Sequence, residues 1–123
     1  MDKSEQKSRS FRDLDVWKVA IELVKEIYRV TQGFPTTENF GLSNQIRRAA
    51  VSIPSNIAEG QGRNSAKEFK QFLGIALGST GELETQLIIA KEINYLTGAE
   101  LNPLLIALDR IRKMIRSLAG KLK

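Results

Sequence analysis

The segment Gln45–Arg63, QIRRAAVSIPSNIAEGQGR, constrains the fold more than any other part of the chain. Its apolar residues recur with helical period. Advancing about 100° per residue, Leu42, Ile46, Ala50, Ile53 and Ile57 fall in one stripe. Gln45, Ser52, Asn56, Glu59 and Arg63 fall in a polar stripe to one side, and Arg47, Val51, Pro54 and Ala58 in a third, mostly small and apolar, on the other. A helix packed on one neighbour needs only the first stripe. Three defined faces predict a helix with neighbours on most sides, inside a bundle that itself assembles.

The rest of the chain keeps the same period. Helix 1 is expected from about Asp13 to Thr31, starting at Asp13 or Asp15, whose charge suits a first turn. Leu14, Trp17, Ile21, Val24 and Tyr28 form one seam on it, and Val16, Ala20, Leu23, Ile27 and Val30 form a second beside it. Helix 2 is expected from Leu42 to Glu59, kinked but not broken at Pro54, with Gly60 as its C′ residue. Helix 3 follows from Ser65 to Tyr95, opened by the capping-box pattern Ser65–Glu68. A row of Gly74, Gly78 and Gly81 on it reads as a seat for a closely approaching helix, because each glycine otherwise costs about 1 kcal/mol in a helix interior. Helix 4 runs to about Lys121, opened by a second box at Thr97–Glu100, with Pro103 kinking its first turns or marking a later start. No stretch alternates with strand period. The expected fold is all-α: an antiparallel up-down-up-down four-helix bundle spanning residues 11–123, behind a disordered tail over residues 1–10.

The string SIPSNIAEG, with the flanking QIRRAAV and GQGR, followed by Ser65, Glu68, Phe69 and then GSTGELETQL at Gly78–Leu87, strongly resembles the bacterial four-helix-bundle family. That family is also called the S23, or 23S rRNA intervening-sequence protein, family. FRDLDVWKVAIELVKEIYRVTQGFP at Phe11–Pro35 is similar to its first helix, so the resemblance covers about Phe11 to Lys123. It implies a ring-like homopentamer of bundles. It also implies kinship with the accessory variability determinant of diversity-generating retroelements, a basic pentamer that binds a reverse transcriptase and nucleic acid.

Self-association has a basis in the residues as well, since one small bundle cannot bury both seams of helix 1 and the third face of helix 2. Val16, Ala20, Leu23, Ile27, Val51 and Ala58 are the expected interface.

The chain has no cysteine and no histidine, so the thiolate nucleophile, the commonest general base and the commonest transition-metal ligand are all missing. Neither an enzyme, a metal site nor a cofactor is expected. No apolar stretch approaches the length of a membrane span, and Met1–Ser10 lacks the apolar core of a signal peptide, which makes the cytoplasm the expected location.

Formal net charge is +5. After Asp109 the chain carries Arg110, Arg112, Lys113, Arg116, Lys121 and Lys123 with no acidic side chain. Helix-dipole compensation would explain the last turn only, and a phosphate-binding surface would explain all of it. Arg63, Lys67 and Lys70 collect before and within the start of helix 3, and Arg47 and Arg48 point about 100° apart on helix 2. These nine residues, Arg47, Arg48, Arg63, Lys67, Lys70, Arg110, Arg112, Lys113 and Arg116, are the candidate nucleic-acid contacts, made to phosphates without base preference. Gln45, Ser52, Asn56, Glu59, Glu82 and Gln86 are expected to form a structural polar cluster between helices 2 and 3, fixing register. The leading reading is an oligomeric RNA- or DNA-associated protein; the alternative is an interaction scaffold, such as an accessory subunit of a reverse transcriptase or another polymerase.

Overall fold

The computed structural model describes residues 10–123. The expected tail at residues 1–10 therefore lies outside the described residues except for Ser10. That residue is structured: its hydroxyl accepts from the Arg12 amide and caps a short 3₁₀ turn at Phe11–Asp13. Helix α1 spans Asp15–Thr31, α2 Leu42–Gln61, α3 Ala66–Glu92 and α4 Gly98–Gly120. They pack α1 on α2, α2 on α3, α3 on α4, and α4 back on α1, which closes an antiparallel four-helix bundle. No strand occurs among the described residues.

The core takes the second seam of α1 and leaves out the first. Val16, Ala20, Leu23 and Ile27 are buried against Ile46, Ile53, Ile57, Leu83, Leu87, Leu108, Ile111 and Ile115. Those four α1 residues are core, which corrects their expected place at a subunit interface. Trp17, Ile21, Val24 and Tyr28 stay only partly covered on the outer side of the α1–α2 junction. Both seams read alike in sequence, and the position of α4 decides between them.

The most intimate pair is α2 with α3, because small residues line the contact: Ala49, Ala50, Gly60, Ala76 and Ser79 are all buried there. Gly60 is inside the helix rather than after it, and Gly62 is the C-cap. A Cβ at Gly60 would stand 2.7 Å from Phe72 Cβ and 2.9 Å from Phe69 Cδ1, so this glycine is required by the crossing and not by the helix end. Pro54 is buried in α2, which continues through it as the apolar stripe predicts.

The glycines of α3 reverse the expectation. Among the described residues, nothing beyond the helix's own adjacent backbone lies within 4 Å of a Cβ built at Gly74, Gly78 or Gly81. They form an open, uncharged strip on the face turned away from the bundle, flanked by the exposed Ile75, Ile88 and Ile89.

Helix ends follow local chemistry. Ser65 caps α3 by accepting from the Glu68 amide at 3.2 Å, while its hydroxyl faces the Glu68 carboxylate. Thr97 and Glu100 form a complete reciprocal capping box on α4, so that helix begins at Gly98 and simply contains Pro103. α3 ends at Glu92, earlier than Tyr95, because Asn94 adopts a left-handed φ of 67°. The Asn94 amide then donates to Lys91 O and that of Tyr95 to Ala90 O, a Schellman closure with asparagine in the place glycine usually takes. Glu38 caps α2 from the preceding turn, accepting from the Leu42 amide through Oε1 and from the Tyr95 hydroxyl at 2.9 Å through Oε2. These bonds hold its carboxyl below the usual glutamate range and raise the Tyr95 phenol.

Candidate nucleic-acid interface

An up-down-up-down bundle brings the start of α1, the end of α2, the start of α3 and the end of α4 to one end. In this chain those four termini carry Arg12, Lys18, Arg63, Lys67, Lys70, Lys113, Arg116, Lys121 and Lys123 against Asp13, Asp15, Glu59 and Glu68. The far end, counted to the same depth, has Lys25, Arg29, Arg47, Arg48 and Lys91 against Glu26, Glu38, Glu92 and Glu100. The middle has Arg110 and Arg112 against Glu22, Glu82, Glu84 and Asp109. The net positive charge of the described bundle is thus gathered at one pole, which neither basic cluster reveals when read along the sequence.

Within that pole the cations differ in how free they are. Arg63 lies between Glu59 at 2.8 Å and Glu68 at 4.0 Å, with its guanidinium over the Phe72 ring. Lys113 pairs with Asp109 at 3.4 Å, and together with Lys121 it lines a depression facing Asp13 and Asp15. Lys67, Lys70 and Arg116 are exposed and have no acid within 4 Å among the described residues. On helical geometry Lys70 lies on the α4 side of α3 and Arg116 on the α3 side of α4, so both border one groove.

Arg112 is not a free cation. Its side chain is only 19% exposed, and its guanidinium reaches Thr80 Oγ1 at 3.1 Å, Thr80 O at 3.4 Å and the Glu84 carboxylate. It joins α3 to α4 and satisfies three acceptors, which corrects its placement on a solvent-facing basic surface. Sequence reasoning set Arg112 beside Arg116 on the outer side; Glu84 pulls it inward. Arg110 lies beside α1, lining a shallow depression with Glu22, Glu26 and Arg29, and its field is offset by those acids.

The polar residues of α2 and α3 divide into three groups. Ser52 and Ser79 share a hydroxyl–hydroxyl bond across the helix pair, and Asn56 Nδ2 donates to Ser52 O at 2.8 Å and Ser52 Oγ at 3.1 Å. Gln86 Nε2 meets Glu82 at 3.4 Å, while Gln86 Oε1 is buried without a partner among the described residues. Gln45 and Glu82 line a notch with Arg48, Ala49 and Ser52. Glu59 turns to Arg63 and leaves the cluster. Register is set by Ser52, Asn56 and Ser79; Ser79, buried on α3, was missed because serine carries no distinctive sequence signal.

Arg47 and Arg48 lie in the second turn of α2, level with the last turn of α1 and toward the end opposite the basic pole. Arg47 Nε donates to Thr31 Oγ1 at 2.8 Å, and its guanidinium sits 4.9 Å from the Tyr28 ring centroid. Arg48 is exposed, and neither arginine has an acid within 4 Å among the described residues. No group of three or more carboxylates able to hold a metal occurs among the described residues, and no helix there is long and apolar enough to cross a membrane.

Comparison with known proteins agrees with this architecture. A crystal structure from Bacteroides thetaiotaomicron, described as a protein with unknown function from the S23 ribosomal protein family, superposes with a TM-score of 0.76 at 26% sequence identity. The match covers 86% of this chain and 99% of that one. A search of the curated proteins returned no match. Neither the neighbour nor the matching family carries an enzymatic description. The model of the 23S rRNA-intervening sequence protein family matches residues 12–117, the whole bundle up to the last turn of α4, and the chain belongs to that family.

Proposed function

We propose that the protein is a non-enzymatic, cytoplasmic, self-associating module that binds nucleic acid, RNA foremost, through its basic pole. The observation that carries this reading is the segregation of charge: Lys67, Lys70, Arg116, Lys121 and Lys123 crowd one end of a molecule whose other end is nearly balanced. Such a pole attracts a polyanion over a Debye length and neutralises phosphates without reading bases. No flat aromatic platform accompanies it, so base preference is not expected. The family's name, with its reference to 23S rRNA, points the same way.

Self-association strengthens such binding, because several poles brought together raise the local field and act multivalently. We assign the contact to the outer face of α3. Its glycines leave room for a second helix to approach closely, and Ile75, Ile88 and Ile89 offer apolar area that the described residues leave partly exposed. Five copies is the number the family resemblance suggests; mass measurement tests it.

The decisive experiment is salt-dependent retention of a single-stranded RNA. With about four phosphates neutralised, affinity should fall by about three powers of ten per tenfold rise in salt. Lys67→Glu together with Lys70→Glu should abolish retention at moderate salt and leave helicity unchanged. Salt-insensitive retention, or retention unaffected by that pair, would exclude the basic pole.

A further inference from the structure

A second surface has no role in that reading. The seam left outside the core forms a continuous groove between α1 and α2. Its floor is apolar: Trp17, Ile21, Val24, Val51, Pro54 and Ala58, around a cavity of about 280 Å³. It opens, past Val51, into a second depression of about 480 Å³ walled by Tyr28, Asn44, Arg47, Arg48 and Ser52. The chemistry changes abruptly at that junction, from hydrocarbon to two arginines.

Those arginines carry charge that the bundle leaves without an acid. Arg47 is oriented by Thr31 and by the face of Tyr28, so its guanidinium is already ordered before anything binds. Among the described residues no acid lies within 4 Å of Arg47 or Arg48. Of the six other described arginines, three are matched: Arg29 to Glu26, Arg63 to Glu59, Arg112 to Glu84. An apolar trough ending in two unmatched cations is complementary to an amphipathic helix whose apolar stripe ends in carboxylates.

We infer that the α1–α2 groove docks an acidic amphipathic helix of a partner protein. The apolar stripe of that helix covers Trp17, Ile21, Val24, Val51 and Ala58, and its Asp or Glu side chains pair with Arg47 and Arg48. The dimensions fit. Trp17 to Tyr28 spans about 17 Å along α1, the length of a helix of about twelve residues. RNA does not suit the floor, which offers almost no polar group to phosphate or sugar.

The test uses the chain's single tryptophan, which sits on the groove floor. A synthetic helical peptide with leucines at i, i+4 and i+7 and two glutamates closing the stripe is titrated into the full-length protein. Covering Trp17 should blue-shift its emission to saturation. The same peptide with lysines for glutamates should bind about five- to tenfold more weakly. Arg48→Glu should reverse that preference, and Val51→Glu should abolish both shifts with helicity retained. Three results would overturn the proposal: no shift with the acidic peptide at millimolar concentration, equal binding of both peptides, or a shift that the protein alone produces on concentration together with a doubled mass, which would put a second copy in the groove. Loss of RNA retention in Arg48→Glu would assign the arginines to nucleic acid and overturn it as well. Unchanged RNA retention alongside the reversed peptide preference is the result expected, and it separates this groove from the basic pole.

Discussion

Replacing Gly60 by alanine is expected to destabilise the bundle even though alanine is the better helix former. Two effects compete. Alanine in place of glycine gains about 1 kcal/mol in a helix interior, less here because Gly60 lies in the last turn of α2. Against this, the new methyl would sit 2.7 Å from Phe72 Cβ, 2.9 Å from Phe69 Cδ1 and 3.2 Å from Phe69 O. The Phe69 ring can swing aside. Phe72 Cβ and Phe69 O are fixed to the backbone of α3, so relief requires the two helices to part by roughly 0.7 Å, and such overpacking costs about 1–3 kcal/mol. Parting the helices also strips attractive contacts from Ala49, Ala76 and Ser79 along the same seam. The net expectation is a loss of about 1–2 kcal/mol, or about 3–8 °C in Tm for a domain of this size. Urea titration followed by circular dichroism measures it, with the denaturation slope checked for constancy. A Gly60→Ala protein as stable as the parent, or more so, would refute the argument that this crossing depends on a missing side chain.

Gly78→Ala provides the opposite case: with no described residue packed within 4 Å of the new methyl it should stabilise the single chain by about 0.5–1 kcal/mol, and should weaken self-association if α3 is the contact face; melts and light scattering across a dilution series read the two effects separately. Arg112→Met should cost about 2–4 kcal/mol by leaving the Glu84 carboxylate unpaired in a partly covered site, and Glu84→Gln in the same protein should recover part of the loss, measured as a double-mutant cycle. Thr97→Ala should cost about 1 kcal/mol through loss of the α4 cap, read by thermal melting. The pH dependence of the Glu38 bond has a definite sign. Its carboxyl is held below the ordinary value in the folded chain, so its contribution is present above the unfolded pKa and is lost as pH falls through the folded one. The stability difference between parent and Glu38→Gln should therefore shrink on acidification below the usual glutamate range. The raised Tyr95 phenol contributes below its unfolded pKa, and that contribution disappears as pH rises through the folded value.

The helices were legible in the sequence because each carries an uninterrupted apolar stripe, and their starts because serine and threonine announce caps. Three features were not. Two equivalent seams on α1 could each have faced inward, and only the direction from which α4 approaches selects Val16–Ala20–Leu23–Ile27. The glycines of α3 looked like a seat because glycine in a helix demands a reason, but the sequence does not say whether that reason lies inside the chain; the close crossing is at Gly60 instead. Arg112 was counted among free cations because helical phase gives direction but not reach, and a long side chain at the border of the buried face can bend toward an acid on the next helix. The basic pole was half visible: its two clusters are separated by most of α3 and α4, and only antiparallel topology places them together.

That topology has a further effect on the basic pole. Adjacent helices run in opposite directions, so their macrodipoles largely cancel, and the axial polarity of the molecule rests on side chains alone. Lys67, Lys70 and Arg116 are exposed and carry none of the packing. The sign and strength of the field at that end are therefore free variables of the fold. A handful of substitutions at lysines and arginines that hold nothing together could neutralise or invert it, so that proteins with the same bundle could select opposite partners while keeping every core contact.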